Sequence, residues 1–310
     1  FFYLICIFGL GSIFFNTLKN LKMNLSEVFF LKISFGIFFS GLISILINFI
    51  HPINLIVSNI FTCSFFLIGG YFLFKEKLSI HKFFYIFSIL IICLIIMLKS
   101  SNVEDFGLYH GPYISILNNE KIIFGLTNIH FRFGHTSLLQ NSQAIFNNSL
   151  FYPNNFQTLS AIFYSSFLIY IINFLLNEQN FKKTTKTFFF FFCILVLICT
   201  KIYRYNDFGN DLIPNLLNFY IWIKCFLILF EKKNKINHSN FNNNIIILLG
   251  LYLLSVFLKI QSLLSFIPII FIIFYFKHFI IRKKIFKIVL FFFFPAIIIF
   301  LSKIILLLDV

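Results

Sequence analysis

Glu104 to Ser137 reads EDFGLYHGPYISILNNEKIIFGLTNIHFRFGHTS, the one long polar interval in an otherwise oily chain. It holds three of the seven histidines (His110, His130, His135), three of the ten acidic residues (Glu104, Asp105, Glu120) and Arg132. These side chains suit chemistry on a lipid-linked phosphate at a bilayer surface. A carboxylate can take the proton from an acceptor hydroxyl as general base. An arginine and a protonated histidine can hold a phosphate leaving group and offset its developing charge. On this reading Asp105 is the base, and Tyr109, His110, His130 and Arg132 contact substrate. For each there is a structural alternative. Asp105 could cap a helix or pair with Arg132, Tyr109 could anchor the interface, and Arg132 could pack against its own loop. A second polar stretch, Tyr203 to Asp211, supplies Asp207 and Asp211. They complete the site, bind a divalent cation together with Asp105, or are solvated loop carboxylates.

The elements that position these residues follow from composition. The 310-residue chain is 60% hydrophobic and 11% charged, with a mean hydropathy of +0.95. A soluble domain is about 45–50% apolar and about 25% charged, so the class is a polytopic membrane protein. The 52 Phe residues reflect compositional bias more than function. The net charge of +15 does not argue for nucleic acid, because the basic residues sit in short loops and no basic aromatic groove is present. All six cysteines lie inside apolar runs without metal-ligand spacing and read as small buried hydrophobes. The chain opens at Phe1 inside an apolar run, which reads as a fragment of a longer protein forming a single transmembrane domain over 1–310.

The expected fold is all-α, with ten spans near 1–16, 28–50, 54–74, 83–98, 158–176, 188–202, 214–230, 245–258, 262–276 and 288–308. Several are shorter than the ~20 residues needed to cross the hydrocarbon. If the loops alternate, those at 17–27, 75–82, 177–187, 231–244 and 277–287 hold 16 of the 25 Lys and Arg, against 6 on the other side. Lys32, Lys224 and Lys303 fall within spans. The positive-inside rule then puts the 99–157 loop outside, on the periplasmic side of a bacterial inner membrane. Within that loop, Leu108, Tyr109, Pro112, Tyr113, Ile116 and Leu117 follow a helical rhythm, predicting an interfacial amphipathic helix over 105–117. A similar short helix is expected over 142–151, with a turn at Gly125–Asn128 between them. Pro268 and Pro295 are expected kinks. His51, before Pro52, reads as an interfacial residue at a helix end.

No Walker, GxGxxG, CxxC or GxSxG pattern occurs. The pattern D-x-G-L-Y-H (Asp105, Gly107, Leu108, Tyr109, His110), followed by G-L-x-N-x-H-x-R-x-G-x-x-S (Gly125, Leu126, Asn128, His130, Arg132, Gly134, Ser137), resembles a bacterial multi-pass family related to GT-C glycosyltransferases. The stretch from Gly41 to Asn54 is similar too. The resemblance implies a polyprenyl-phosphate sugar donor, a lipid, glycan or protein acceptor, Asp105 as catalytic residue and Asn128 among the substrate contacts. Two features depart from GT-C practice: the acidic neighbour is Glu104 rather than part of a D-x-D pair, and the loop follows the fourth span rather than the first. An O-antigen-type polymerase or ligase, and a transporter or flippase, remain the alternative readings.

Overall fold

The computed structural model describes residues 1–18, 23–76, 80–98, 106–135, 137–147, 157–176, 189, 191–196, 211–230, 238–276 and 282–307. Among these the chain is helical and no strand occurs. The helices are α1 (Phe2–Thr17), α2 (Leu25–Ile50), α3 (Leu55–Lys75), α4 (Ile80–Leu98), α5 (Gly111–Asn119), α6 (Leu138–Phe146), α7 (Thr158–Leu176), α8 (Leu212–Phe230), α9 (His238–Leu258), α10 (Phe266–Tyr275) and α11 (Arg282–Leu307).

Five of them carry stretches long and apolar enough to cross a membrane: Leu25–Ile50, Leu55–Lys75, Thr158–Leu176, Leu212–Leu229 and Phe241–Leu258. Shorter apolar helices cover Phe2–Thr17, Phe83–Leu98, Ile260–Tyr275 and Phe293–Leu307. The expected span over 188–202 lies mostly outside the described residues. Large apolar side chains face outward all around the periphery, among them Leu67, Phe74, Phe84, Leu98, Phe271 and Phe294. In water such a surface would be a severe liability, and in lipid it is the required one.

The central post is α2. It packs on α1, α6, α7, α9 and α11, and its residues from Phe29 to Phe38 are all buried. Phe30 is the aromatic hub, with ring centroids of Phe163, Phe167, Tyr170 and Tyr220 within 5.2–5.9 Å. Part of the Phe excess is therefore spent on edge and stacked contacts that tie α2 to α7 and α8. At the far end α2 stops at His51-Pro52, where proline cannot donate to a continuing helix. The exposed His51 bonds the adjacent Pro52 carbonyl. Asn54 then caps α3, its Oδ1 accepting from the Val57 N–H at 3.0 Å.

Two expectations change here. The helix placed over 142–151 instead spans Leu138–Phe146 as α6, and it is buried along its whole length. It is wedged under the end of α2 rather than lying at an interface. The apolar run at 262–276 is not one helix either. A 3-10 segment (Ile260–Ser265) precedes α10, because Ser262 and Ser265 turn inward to bond Asn218 of α8 at 3.1 and 2.6 Å. Pro268 follows in the first turn of α10, where its missing N–H costs nothing, so it starts a helix instead of kinking one. Pro295 does lie within a helix, α11.

Candidate functional site

The polar interval folds over the C-terminal ends of α2 and α11. Residues Phe106–His110 form a single π-helical turn that runs straight into α5, with Pro112 in the first turn. This is the helical rhythm expected from the sequence, with Tyr113, Ile114 and Leu117 as its buried face. Asn48 of α2 fastens α5 in place. Its amide donates to the carbonyls of Leu117 (3.3 Å) and Glu120 (2.9 Å), while the Asn48 carbonyl receives the Ile122 N–H at 3.2 Å.

The chain then turns at Gly125, whose φ of 65° is a left-handed conformation that favours glycine. Two 3-10 turns follow, Leu126–Asn128 and Phe131–His135. They cap α11: the Gly125 N–H reaches the Ile305 carbonyl at 3.1 Å, and the Thr127 hydroxyl reaches that of Leu306 at 3.0 Å. Carbonyls at a helix end have no intrahelical donor, so these two bonds anchor the loop to α11. Phe124, Ile129 and Phe131 remain exposed on it.

The loop histidines and arginine divide into two groups. Arg132 lies over Tyr109 (5.1 Å) and Phe131 (5.9 Å), as a guanidinium on aromatic faces. Tyr109 in turn lies against His110, the ring centroids 4.1 Å apart and the planes tilted by 43°. His110 is only 3% exposed and meets Gln140 of α6 at 2.8 Å through Nδ1. The Gln140 amide has its orientation set from the other side, since its Oε1 accepts the Ser137 N–H at 2.8 Å. Its Nε2 therefore donates, His110 Nδ1 accepts, and a neutral His110 carries its proton on Nε2. The path Arg132–Tyr109–His110–Gln140–Ser137 leads from the loop to the start of α6. His130 stands apart from it. Its Nδ1 receives the Arg132 N–H at 3.3 Å and its ring packs against Phe131 and Phe133, so it shapes the turn. Asn128 is exposed.

Asp105, Glu104 and Asp207 lie outside the described residues, as does the His135 side chain. Asp211 is described, and it pairs with Lys259 at 2.5 Å rather than with the described loop residues. Among the described residues no three His, Cys, Asp or Glu side chains come together as a metal site.

Sequence reasoning placed α6 four residues late and missed its burial. Its residues Gln140, Asn141, Ser142 and Gln143 are all buried. Ser142 meets Ser40 of α2 at 2.5 Å, Ser58 of α3 donates to the Ile145 carbonyl at 2.6 Å, and Tyr3 of α1 donates to the Phe146 carbonyl at 2.9 Å. Gly41 admits α6 to this position. A Cβ there would stand 2.6–2.8 Å from Leu138 atoms, including its backbone oxygen. The available signal was a run of uncharged amides and hydroxyls flanked by Leu138-Leu139 and Ala144-Ile145-Phe146, the composition of a buried polar helix rather than a solvated one.

Where α2, α5, α6 and α11 meet, they leave a narrow, half-open recess of ≈ 10 Å³, about the room that one water takes. Its polar lining is Asn48, Tyr113, Ser137, Asn141, Ser302 and Lys303.

Residues 1–307 match the family model described as a domain of unknown function, DUF8201, and the chain belongs to that family. No match is found among curated proteins or among solved structures.

Proposed function

We propose that this protein is a GT-C-like membrane glycosyltransferase. It moves a sugar from a polyprenyl-phosphate donor to a lipid, glycan or protein acceptor at the outer face of a bacterial inner membrane. The observation that carries the reading is the path from Arg132 through Tyr109 and His110 to Ser137, which ends at the recess lined by Lys303. It joins cationic and hydrogen-bonding groups, suited to a phosphate, across a loop whose exposed Phe124, Ile129 and Phe131 suit a bilayer interface. Asp105 directly precedes the turn that carries Tyr109 and His110, and it acts as general base toward the acceptor hydroxyl. His110, bonded through Nδ1 to Gln140, stands beside Tyr109 on this turn. In the accompanying topology the chain has ten spans, with the basic loops in the cytoplasm and the 99–157 loop in the periplasm.

A second reading is favoured by α6. A short buried helix whose N-terminus faces a lysine is a device by which transporters hold anionic substrates, so movement of a lipid-linked anion without chemistry is the alternative.

The test is a mass profile of surface glycans and polyprenyl-linked intermediates in wild type, a deletion, and Asp105→Asn at matched membrane levels. The transferase reading expects Asp105→Asn to reproduce the deletion, with one sugar missing and its lipid donor accumulating. A wild-type profile from Asp105→Asn beside an altered deletion would reject it in favour of transport. Dependence on Arg132 without dependence on Asp105 would point to an O-antigen-type ligase.

A further inference from the structure

Two segments that are not α-helical turn large apolar side chains outward, and both lie at the same end of the bundle. The first is the pair of 3-10 turns after Gly125, where Phe124, Ile129 and Phe131 are 55–75% exposed. The second is the 3-10 segment before α10, where Ile260, Leu263 and Leu264 are 51–70% exposed.

Their common level follows from the contacts around them. Gly125 and Thr127 bond the last carbonyls of α11, and the Ile122 N–H bonds Asn48 near the end of α2. The first segment therefore sits where α2 and α11 stop. Glu27 meets Lys224 and, one turn further along α2, Phe30 meets Tyr220, so α2 and α8 run antiparallel. The start of α8 is then level with the end of α2. Asp211, directly before α8, pairs with Lys259, directly before Ile260. This solvent-facing pair marks a polar boundary, and both apolar segments stand beside that boundary. The lipid-facing wall runs up to the same level. Leu307 follows the Leu306 carbonyl held by Thr127, and Ile50 and Ile56 flank the turn between α2 and α3; all three are exposed. The neighbouring α5 is different, since its apolar face of Tyr113, Ile114 and Leu117 is spent on the bundle while Ser115, Asn119 and Glu120 face out. Lys121, exposed, and Arg132, half-buried over Tyr109 and Phe131, flank the first apolar group as cations.

We infer that these two segments are lipid anchors. Phe124, Ile129 and Phe131, with Ile260, Leu263 and Leu264, sink below the phospholipid headgroups of the leaflet at the C-terminal end of α2. Lys121 and Arg132 stay level with the phosphates, as cations beside apolar side chains do at an interface. Left in water these side chains would order solvent around a broad apolar face, and insertion of about 5–10 Å into the headgroup boundary removes that cost. Because Arg132 lies over both Phe131 and Tyr109, insertion of Phe131 also fixes the height of Tyr109 and His110 above the bilayer. The partner is the phospholipid leaflet itself, and the inference needs neither the transfer step nor the assignment of that leaflet to one side of the cell.

The test uses the full chain in neutral-lipid (phosphatidylcholine) nanodiscs with tryptophan as the depth reporter. Trp222→Phe removes the one native tryptophan, and Phe131→Trp, Leu264→Trp or Asn119→Trp is then added singly. Quenching is read with lipids brominated near the top of the acyl chain, with lipids brominated near its end, and with aqueous acrylamide. Phe131→Trp and Leu264→Trp are expected to be quenched about twofold or more strongly by the shallow bromines than by the deep ones, because the interface lies roughly 15 Å from the bilayer centre. Both are expected to be protected from acrylamide. Asn119→Trp is the aqueous control, open to acrylamide and untouched by either lipid. Quenching of either reporter by acrylamide as strongly as Asn119→Trp would overturn the inference by leaving that segment in water. Protection from acrylamide and from both lipids would also overturn it, because a second copy of the chain or another protein would then cover the surface. Ile129→Trp, at the most exposed position of the first group, takes the place of Phe131→Trp if that variant does not fold. No arm reads sugar transfer, so the anchors and the transferase stand or fall separately.

Discussion

The two ends of α2 treat polar groups in opposite ways. Near its N-terminus, Glu27 is 6% exposed and accepts both the Tyr220 hydroxyl (2.7 Å) and the Lys224 ammonium (2.6 Å). One turn further on, Lys32 pairs with Glu76 at the end of α3 and lies over the Phe8 ring. Among the described residues, Glu27, Lys32, Glu76 and Lys224 are answered from within the chain. Near the C-terminus, Asn48 lines a small recess where, among the described residues, the half-buried Lys303 forms no ion pair. A buried charge with a partner holds helices in register, while a buried charge without one destabilises the fold unless something from outside completes it. The first end therefore reads as a clamp between α2, α3 and α8, whereas the second holds a half-buried lysine that ties no helices together through an ion pair among the described residues.

Substitutions should separate the two. The largest loss is expected from Glu27→Ala, which strands Lys224 in the bundle at a cost of about 3–5 kcal/mol. Thermal unfolding in detergent should show it, and Lys224→Met added to Glu27→Ala should recover part of the loss. Gly41→Val should follow, because its side chain would have to displace the Leu138 backbone, an overpacking cost of about 1–3 kcal/mol or more. The same substitution should disturb the recess, since it moves α6. Gln140→Leu should cost about 1–3 kcal/mol by leaving the Ser137 N–H and His110 Nδ1 unmatched. It would sharpen the comparison by weakening the site end without touching any charge. The smallest effect is expected from Asp211→Ala. Its pair with Lys259 is solvent-facing, with side chains 66% and 30% exposed, and such pairs contribute up to about 1 kcal/mol. An unfolding temperature that drops as far for Asp211→Ala as for Glu27→Ala would break the distinction between clamp and surface pair.

How much of this was legible in the sequence depended on which physical signal each element carried. Membrane class and the long apolar helices followed from runs of hydrophobic residues, since no other structure satisfies backbone groups in lipid. The rhythm from Leu108 to Leu117 correctly marked the turn and helix that carry Tyr109 and His110. The turn at Gly125 was readable because a glycine before Leu-Thr-Asn invites a left-handed residue. What failed was the assumption that polar means exposed. Gln140 to Gln143 are polar and buried because Ser40, Ser58 and His110 meet them or their neighbours across more than 25 positions of chain, and no local pattern announces such partners. For His110, whose type and place suggest a phosphate contact, the long-range partner is Gln140, and the structure places it buried there. Lys303 was noted only as a cation inside a span, and the structure places it half-buried near the end of α11, beside the recess.

The most direct test is a paired measurement of unfolding temperature for Lys224→Met and Lys303→Met, in the same neutral-lipid nanodiscs without added ligand. Each removes one ammonium and keeps the length of the side chain. Lys224→Met should lower the temperature clearly, because Glu27 loses its counter-ion, while Lys303→Met should leave it unchanged or raise it. An equal fall for both would mean that Lys303 is one more structural charge, and the two ends of α2 would no longer differ in kind.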